Sequence, residues 1–353
     1  MNQSLGYGLH IDRDFAIDAL KIAQYIYAGF ALVFIHPLAF FLILKKTALL
    51  QRELKVCYFI NQVQLAAHDV WGLLLYQLHP ILPYPTMYCS GFACGRGWIG
   101  AGTCMAIEAS FTVHSMMLII ATLHFMSQRV LEPGSRLKLG PIGTYLFLLF
   151  LYLFLLLNVV GCALFARDSP DRERILRSTP DLSWLSNLHG VVIVFGELRN
   201  IGQFQYQVFM IFASILLMLP VRLTLVSIAI RALKRKKSSL QNLSDRTQHM
   251  QERLVSVLVR QTGMLSVFYI YPQMVIFIFI YVPPDWLPQF VTAAIRLMCM
   301  PLYTLNSLIQ LIILLMTNER FIRDLRQFRK GSNRIEVTRL AHTTTSRFTT
   351  LSP

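Results

Sequence analysis

The chain has 353 residues, of which 55% are hydrophobic and only 14% are charged, and its mean hydropathy is +0.51. A soluble domain usually carries about a quarter charged residues, so this composition excludes an ordinary soluble protein and indicates a membrane protein. The formal net charge of +15 does not indicate a nucleic-acid partner, because the basic residues lie in the gaps between apolar runs rather than on one soluble face.

Seven apolar runs are long enough to cross a bilayer, which takes about 20 residues. In chain order they are 22–44, 56–82, 98–126, 140–165, 206–230, 255–282 and 288–317. The first run begins too far from the N-terminus, and is too long, for a cleaved signal peptide, so we interpret it as a signal anchor that is retained. The sequence therefore predicts an all-α membrane protein with a bundle of seven transmembrane helices over residues 22–317.

The Lys and Arg residues between the runs predict the orientation of the bundle. With the N-terminus outside, the internal segments are 45–55, 127–139, 231–254 and 318–353. These segments account for the whole positive excess, and Lys and Arg accumulate in cytoplasmic connections. We therefore predict an extracellular N-terminus over 1–21 and a cytoplasmic C-terminus. Asn2 begins an Asn-Gln-Ser glycosylation sequon on the predicted outer side.

The internal segments have features of their own. Segment 231–254 is strongly basic and contains no helix-breaking residue, so the fifth and sixth helices are expected to extend beyond the membrane, near anionic lipids. In segment 318–330 the apolar residues share one helical face, which predicts an amphipathic helix at the membrane surface. Segment 331–353 is rich in Ser and Thr and is predicted to be a disordered cytoplasmic tail.

Three ionisable residues lie deep within predicted spans. Asp69 is near the middle of the second span, with His68 beside it, and Glu108 and Arg296 lie in the third and seventh spans. Charges inside a membrane usually face the bundle interior and pair with one another. In a receptor-type bundle these three helices adjoin, so we predict a buried ion pair between Arg296 and either Glu108 or Asp69. Arg222, in the inner part of the fifth span, is expected to extend toward the headgroups.

The sequence offers no pattern typical of an enzyme, a metal site or a cofactor site. The nine histidines are scattered, without the spacing of a zinc site. The segment Gly95–Gly100 matches the dinucleotide fingerprint GxGxxG, but it leads into a membrane span rather than a βαβ unit. Cys89 and Cys94 follow the second span on the oxidising side, where a disulfide between them can form. The loop 166–205 contains no cysteine.

Residues 56–95, VCYFINQVQLAAHDVWGLLLYQLHPILPYPTMYCSGFACG, resemble the second span and first outer loop of nematode serpentine chemoreceptors. The class I (Sri) group, which is close to class H, is the best match. The shared features are Asp69, then QLHPILPYP, then YCSG. Glu108, the third-span end HFMSQRV, and a last span running into NERFIRDL are also similar. The third span ends in MSQRV rather than the DRY of rhodopsin-like receptors, so Arg129 takes the place of the DRY arginine.

The resemblance implies a G-protein-coupled sensor of small chemicals in the plasma membrane, and sensory cilia as its location. A small odorant or water-soluble ligand would enter between the outer halves of helices two, three, six and seven. The residues expected to line its site are Asp69, Glu108, Tyr271 and Arg296. The residues expected to meet a heterotrimeric G protein are Arg129, Lys234, Arg235, Lys236, Lys237, Arg320 and Arg323.

Three other functions fit the same sequence. A ligand-gated cation channel of the odorant-receptor type also has seven spans, but the opposite orientation. In a transporter coupled to protons or other ions, Asp69, Glu108 and Arg296 would form the relay. The third alternative is a receptor fold that has lost signalling.

Overall fold

The computed structural model describes residues 13–46, 52–81, 84–95, 99–131, 134–187, 190–197, 200–239 and 305–317, together with single positions between 256 and 278. Most of the described chain is helical. The sequon at Asn2, most of the sixth span and of the seventh, the predicted surface helix 318–330 and the tail 331–353 lie outside the described residues.

The helices are numbered in chain order over the described residues. They are α1 Arg13–Phe30, α2 His36–Phe41, α3 Arg52–Val70, α4 Phe92–Gly95, α5 Ala101–Val130, α6 Pro141–Phe165, α7 Arg172–Ser178, α8 Phe204–Ser239 and α9 Asn306–Thr317. The π turn Ala31–Ile35 joins α1 to α2, and the π turns Leu42–Lys46 and Trp71–Tyr76 extend α2 and α3. The π turn before α2 ends at Ile35, two residues before Pro37. Proline has no backbone N–H, so Pro37 cannot donate the regular helical hydrogen bond to the preceding turn.

Within the described part of the chain, four helical segments are long and apolar enough to cross a membrane. They are Asp18–Leu44, Gly102–Val130, Pro141–Phe165 and Phe204–Ala232. Helix α9 is a shorter apolar helix within the predicted seventh span. Helix α8 continues beyond Ala232 to Ser239, so the fifth helix reaches into the basic segment 231–254, as predicted.

Arg222 does not extend toward the headgroups. It is fully buried, and Met218, Leu225 and Ala229 on the same helix are buried too. These positions recur every three or four residues and so form one face of α8, which points into the bundle. The expectation from sequence was therefore wrong, because it considered the depth of Arg222 in the membrane without its position around the helix.

The second predicted span ends earlier than its predicted limit at residue 82. The helix stops at Tyr76, and Gln77 adopts a left-handed conformation with φ 39° and ψ 72°. The chain then forms strand β1, Leu78–Pro80, in a stretch that contains Pro80, Pro83 and Pro85. Proline has no backbone N–H and cannot continue a helix, so the apolar residues of this segment form a strand instead.

A three-stranded antiparallel sheet lies at one end of the bundle, which we call the sheet end. Strand β2, Thr86–Cys89, pairs with β1 on one side and with β3, Val191–Val194, on the other. Because β3 comes from the loop between α6 and α8, backbone hydrogen bonds attach that loop to the one that follows α3. The sequence did not predict this sheet.

Both faces of the sheet are covered, which explains why all four residues of β2 are buried. One face packs against α7 and the following 3-10 helix, Pro180–Asn187, through Tyr88, Val192 and Val194. The other face packs against the ends of the membrane helices through Met87 and Ile193. Strand side chains alternate between faces, so a short strand can contribute to two apolar clusters at once.

A disulfide and a glycine fix the chain after β2. Cys89 and Cys94 are bridged, with their Cα atoms 5.9 Å apart, so the end of β2 is joined to α4. Between them the backbone of Gly91 lies against the end of the π turn, and its N–H donates to the Tyr76 carbonyl at 3.3 Å. A Cβ at Gly91 would come within 2.4 Å of the Leu75 carbonyl oxygen, a distance that real Cβ contacts do not show.

We expect Gly91→Ala to destabilise the protein by about 1–3 kcal/mol, because the added methyl group meets backbone atoms that cannot move aside cheaply. Thermal unfolding can be followed with a thiol-reactive dye, since Cys104 and Cys162 are free and buried in the folded state. Gly134→Ala is the matched control, because a Cβ there meets no atom within 4 Å. Equal melting temperatures for the two variants would contradict the close approach at Gly91.

Candidate functional site

Asp69 lies at the centre of a buried polar cluster that joins three helices. Its Oδ2 atom is 3.0 Å from Nε2 of His36 on α2, and it accepts a hydrogen bond of 2.6 Å from the Ser307 hydroxyl on α9. Gln62 lies on α3, two helical turns before Asp69, and its amide nitrogen is 2.7 Å from Nδ1 of His36. All four side chains are buried. We call these four residues the Asp69 cluster.

The Asp69 cluster has one consistent hydrogen-bonding pattern. The amide nitrogen of Gln62 is a donor only, so Nδ1 of His36 accepts its hydrogen. Nε2 of His36 then carries the ring proton and donates it to Asp69. Gln62 therefore fixes the tautomer of His36, and a neutral histidine satisfies both of its neighbours.

The energetic importance of this cluster follows from its burial. A carboxylate taken out of water loses several kcal/mol of hydration, which only hydrogen bonds or counter-charges in the protein can replace. The two donors to Asp69 come from other helices: His36 from α2, which directly precedes α3, and Ser307 from α9, 238 residues further along the chain. The carboxylate of Asp69 therefore holds three helices in one relative position.

Glu108 forms a second polar pair, which joins α5 to α3. Its Oε1 atom is 2.8 Å from Nε2 of His68. The ring of His68 lies 5.6 Å from that of Phe111, one turn further along α5. We call His68 and Glu108 the Glu108 pair. The side chains are 9% and 17% exposed, against 4% and 3% for His36 and Asp69, so the Glu108 pair is the more accessible of the two.

The surroundings of the Glu108 pair connect it to the sheet end. Phe111 packs on the apolar cluster that contains Trp71, Tyr76 and the Cys89–Cys94 disulfide. Within that cluster the rings of Trp71 and Tyr76 are stacked with their centroids 5.7 Å apart. Aromatic side chains beside a few polar groups are typical of the sites at which proteins bind small molecules.

The structure places the predicted site residues as follows. Asp69 and Glu108 both lie in buried polar contacts, on helices α3 and α5. Tyr271 and Arg296 lie outside the described residues, so the ion pair with Arg296 and the ligand contact of Tyr271 stay predictions. Asp69 and Glu108 do not share a hydrogen-bonding partner among the contacts described, because each is bonded to a different histidine.

Among the residues predicted to meet a G protein, those that the structure describes lie away from the sheet end. Arg129 is half-buried in the last turn of α5. Lys234, Arg235, Lys236 and Lys237 belong to the last turns of α8, beyond the membrane-crossing part, and their side chains lie outside the described set. Arg320 and Arg323 lie outside the described residues altogether.

Sequence reasoning missed three members of the Asp69 cluster: His36, Gln62 and Ser307. His36 had a usable signal, because it is an ionisable residue inside a predicted span and such residues usually have a partner. Gln62 and Ser307 had none, since uncharged polar residues are common in membrane helices and only the packing of the helices brings these two to Asp69.

A third polar cluster lies within the sheet. His79 of β1 is buried, its Nε2 is 3.1 Å from the Ser90 hydroxyl, and its ring stacks on that of Tyr88 at 5.9 Å. The ammonium group of Lys21 donates to the Tyr88 hydroxyl at 3.3 Å, so α1 is attached to the sheet as well. Burial, together with the nearby positive charge of Lys21, lowers the pKa of His79 from 6.5 to about 4.

These apolar helices, with polar clusters around two acidic residues between them, are those of a membrane protein with several spans. The chain matches the sequence model of the family described as "Serpentine type 7TM GPCR chemoreceptor Srh" over residues 17–328. It therefore belongs to this family of seven-transmembrane chemoreceptors, and its fold class is the one predicted, with the small sheet as an addition. The family is class H, so the assignment to class I is corrected to its neighbour. A comparison with curated proteins finds no match.

We expect Ser307→Ala to lower the free energy of unfolding by about 1.5–3 kcal/mol, because it removes a hydrogen bond to a buried carboxylate. Ser127→Ala is the matched control: both serines are fully buried, but the Ser127 hydroxyl donates to the His124 carbonyl of its own helix. The control should cost about 1 kcal/mol or less. Melting curves in detergent compare the two, and equal losses would show that the bond between α9 and Asp69 adds nothing.

The shifted pKa of His79 predicts a dependence of stability on pH. The unfolded chain binds a proton near pH 6.5, whereas the folded protein binds it only near pH 4. The contribution of neutral His79 to the free energy of unfolding is therefore fully present above pH 6.5. It is lost as the pH drops toward 4, by at most roughly 3 kcal/mol. Melting temperatures measured from pH 7 to pH 4 should fall less steeply in His79→Gln than in the unaltered protein. Parallel curves would show that His79 is not the origin of the pH dependence.

Proposed function

We propose that this protein is a G-protein-coupled chemosensory receptor in which a small molecule binds at the Glu108 pair. The sheet end faces the outside of the cell, as the distribution of Lys and Arg favours, and the C-terminus is cytoplasmic. One observation carries the proposal. The Glu108 pair contains His68 and the Asp69 cluster contains Asp69, and these two residues are consecutive on α3.

The ligand contacts the Glu108 pair rather than the Asp69 cluster. His68 and Glu108 retain some exposure and lie beside an aromatic cluster, whereas the carboxylate of Asp69 is already engaged by two donors. A ligand with a hydrogen-bonding group can replace one member of the Glu108 pair as partner of the other. Glu108 and His68 thus act in binding, and Asp69 acts in transmission.

Transmission from one site to the other follows from the covalent chain. A ligand that moves His68 also moves the backbone of Asp69, the next residue of α3, and so disturbs the bonds to α2 and α9. The ligand shifts the equilibrium between two helix arrangements only by the difference between its affinities for them. At the opposite end, Arg129 and the basic end of α8 meet the G protein in the arrangement that the ligand favours.

The proposal predicts that changes in the Glu108 pair alter the potency of the ligand, whereas a change of Asp69 alters the maximal response. In cells that contain a reporter G protein, small volatile and water-soluble compounds are screened for nucleotide exchange. With an active compound, Glu108→Gln and His68→Gln should raise the half-maximal concentration about tenfold or more, as loss of a charged hydrogen bond predicts. Asp69→Asn should reduce the maximal response at saturating compound. Glu173→Gln, in the exposed α7, is the control and should change neither quantity.

Surface expression and orientation are measured on the same cells with different epitope tags at the two ends. An N-terminal tag visible on intact cells, together with a C-terminal tag visible only after permeabilisation, agrees with the proposal. The reverse pattern would contradict it and favour a channel of the odorant-receptor type. If the orientation is right but uptake of the compound follows an ion gradient without nucleotide exchange, the protein is a transporter.

A further inference from the structure

His114 of α5 and Tyr152 of α6 form a polar pair on the outer surface of the bundle. The Tyr152 hydroxyl is 2.9 Å from Nε2 of His114, and Nδ1 of His114 is 2.6 Å from the Ser110 carbonyl. His114 is exposed and Tyr152 is half-buried. Because α5 and α6 cross the membrane, exposure here means contact with lipid. Ionisable residues in membrane helices almost always face the bundle interior, so this position is unusual.

The pair lies near the middle of the bilayer. His114 is thirteen residues from the start of α5 at Ala101, and Tyr152 is thirteen residues from the end of α6 at Phe165. At 1.5 Å per residue, both lie roughly 20 Å from the sheet end of their helices. The hydrocarbon core is about 30 Å thick, so lipid headgroups, which lie outside it, do not reach the pair. A partner for the pair must be dissolved in the hydrocarbon itself.

The hydrogen bonds of the pair determine what it offers to such a partner. Nδ1 of His114 faces a carbonyl oxygen, so it must carry the ring proton. In the neutral ring Nε2 is then an acceptor, and Tyr152 donates its only hydrogen to it. The Tyr152 oxygen keeps free lone pairs and has no donor left. The pair is therefore an acceptor site that faces lipid.

This polarity argues against a second copy of the chain as the partner. In a two-fold dimer the same patch of each copy meets the other, so two acceptor sites would face each other without a donor between them. A neutral alcohol supplies the missing donor through its hydroxyl group, and its apolar part remains in the hydrocarbon. The neighbouring side chains on α6, Leu149 and Leu153, are exposed and apolar and so suit the rest of such a molecule.

We propose that the His114–Tyr152 pair is a binding site for a small hydrophobic alcohol that reaches the protein through the membrane. The hydroxyl of the alcohol donates to the Tyr152 oxygen, and its hydrocarbon part lies along α6. The site is separate from the Glu108 pair, so a test of binding here needs no signalling and does not depend on the ligand of that pair.

The test uses the full-length protein in phosphatidylcholine nanodiscs and two photoreactive probes, a decanol and a decane that each carry a diazirine. Labelled peptides of α5 and α6 are quantified by mass spectrometry, and the ratio of alcohol to alkane labelling is measured. We expect Tyr152→Phe, which removes the acceptor oxygen, to lower this ratio about fivefold, which corresponds to about 1 kcal/mol for one hydrogen bond. Unlabelled decanol should reduce labelling by the alcohol probe in the unaltered protein.

Tyr145→Phe is the matched control, because Tyr145 lies two turns away on the exposed side of the same helix, 71% exposed, and the change removes the same hydroxyl group. It should leave the ratio unchanged. Equal ratios in the unaltered protein and in Tyr152→Phe would overturn the proposal and leave the pair as a fastening between α5 and α6. If Tyr152→Phe instead converts a dimer in the nanodisc to a monomer, the partner is a second copy and the proposal is also wrong.

Discussion

The carboxylate of Asp69 is the constraint on which the described part of the bundle depends. A charge inside a bilayer requires partners, and the described partners of Asp69 come from two other helices, through His36 on α2 and Ser307 on α9. Apolar packing alone discriminates weakly between helix arrangements in lipid, since lipid tails are as apolar as leucine. A short list of directional hydrogen bonds therefore sets the position of α3 relative to α2 and α9, and with it the position of His68.

The sheet end is organised by a different constraint, the loss of helix at Gln77. Three prolines in 80–85 leave the chain with backbone groups that a helix cannot satisfy, and the strands β1, β2 and β3 satisfy them. Because both faces of β2 are buried, the sheet is held to the bundle by apolar contact and to α4 by the Cys89–Cys94 disulfide. The cluster that contains this disulfide also packs against Phe111, whose ring lies beside His68, so the sheet end and the Glu108 pair are in contact through one side chain.

The predictable and unpredictable features of this chain differ in physical origin. Hydrophobic runs of bilayer length predicted the helices that became α5, α6 and α8, because burial in lipid depends on composition and length alone. Charge placement likewise drew attention to Asp69 and Glu108, because a carboxylate in a span is costly wherever it points. The sheet was not predictable in this way, because its strands are short and β3 pairs with β2 across more than a hundred residues.

Orientation around a helix axis was the second source of error. Arg222 was assigned by its depth, yet the buried face of α8 defined by Met218 and Leu225 includes it. His36 was overlooked because its partners, Asp69 and Gln62, lie on a different helix. In both cases the deciding quantity is which neighbour a helix face meets. That is a property of the assembled bundle, to which single-sequence periodicity gives only an indirect guide.

Two histidines in the membrane show how one neighbour decides what a side chain can do. In His36 the Gln62 amide donates to Nδ1, so Nε2 is the donor and the ring binds a carboxylate. In His114 the Ser110 carbonyl requires a proton on Nδ1, so Nε2 becomes an acceptor and orients the Tyr152 hydroxyl. The first arrangement closes a buried cluster, in which every ring nitrogen is used by the protein. The second leaves the Tyr152 oxygen as an acceptor facing lipid, which is the basis of the proposed alcohol site.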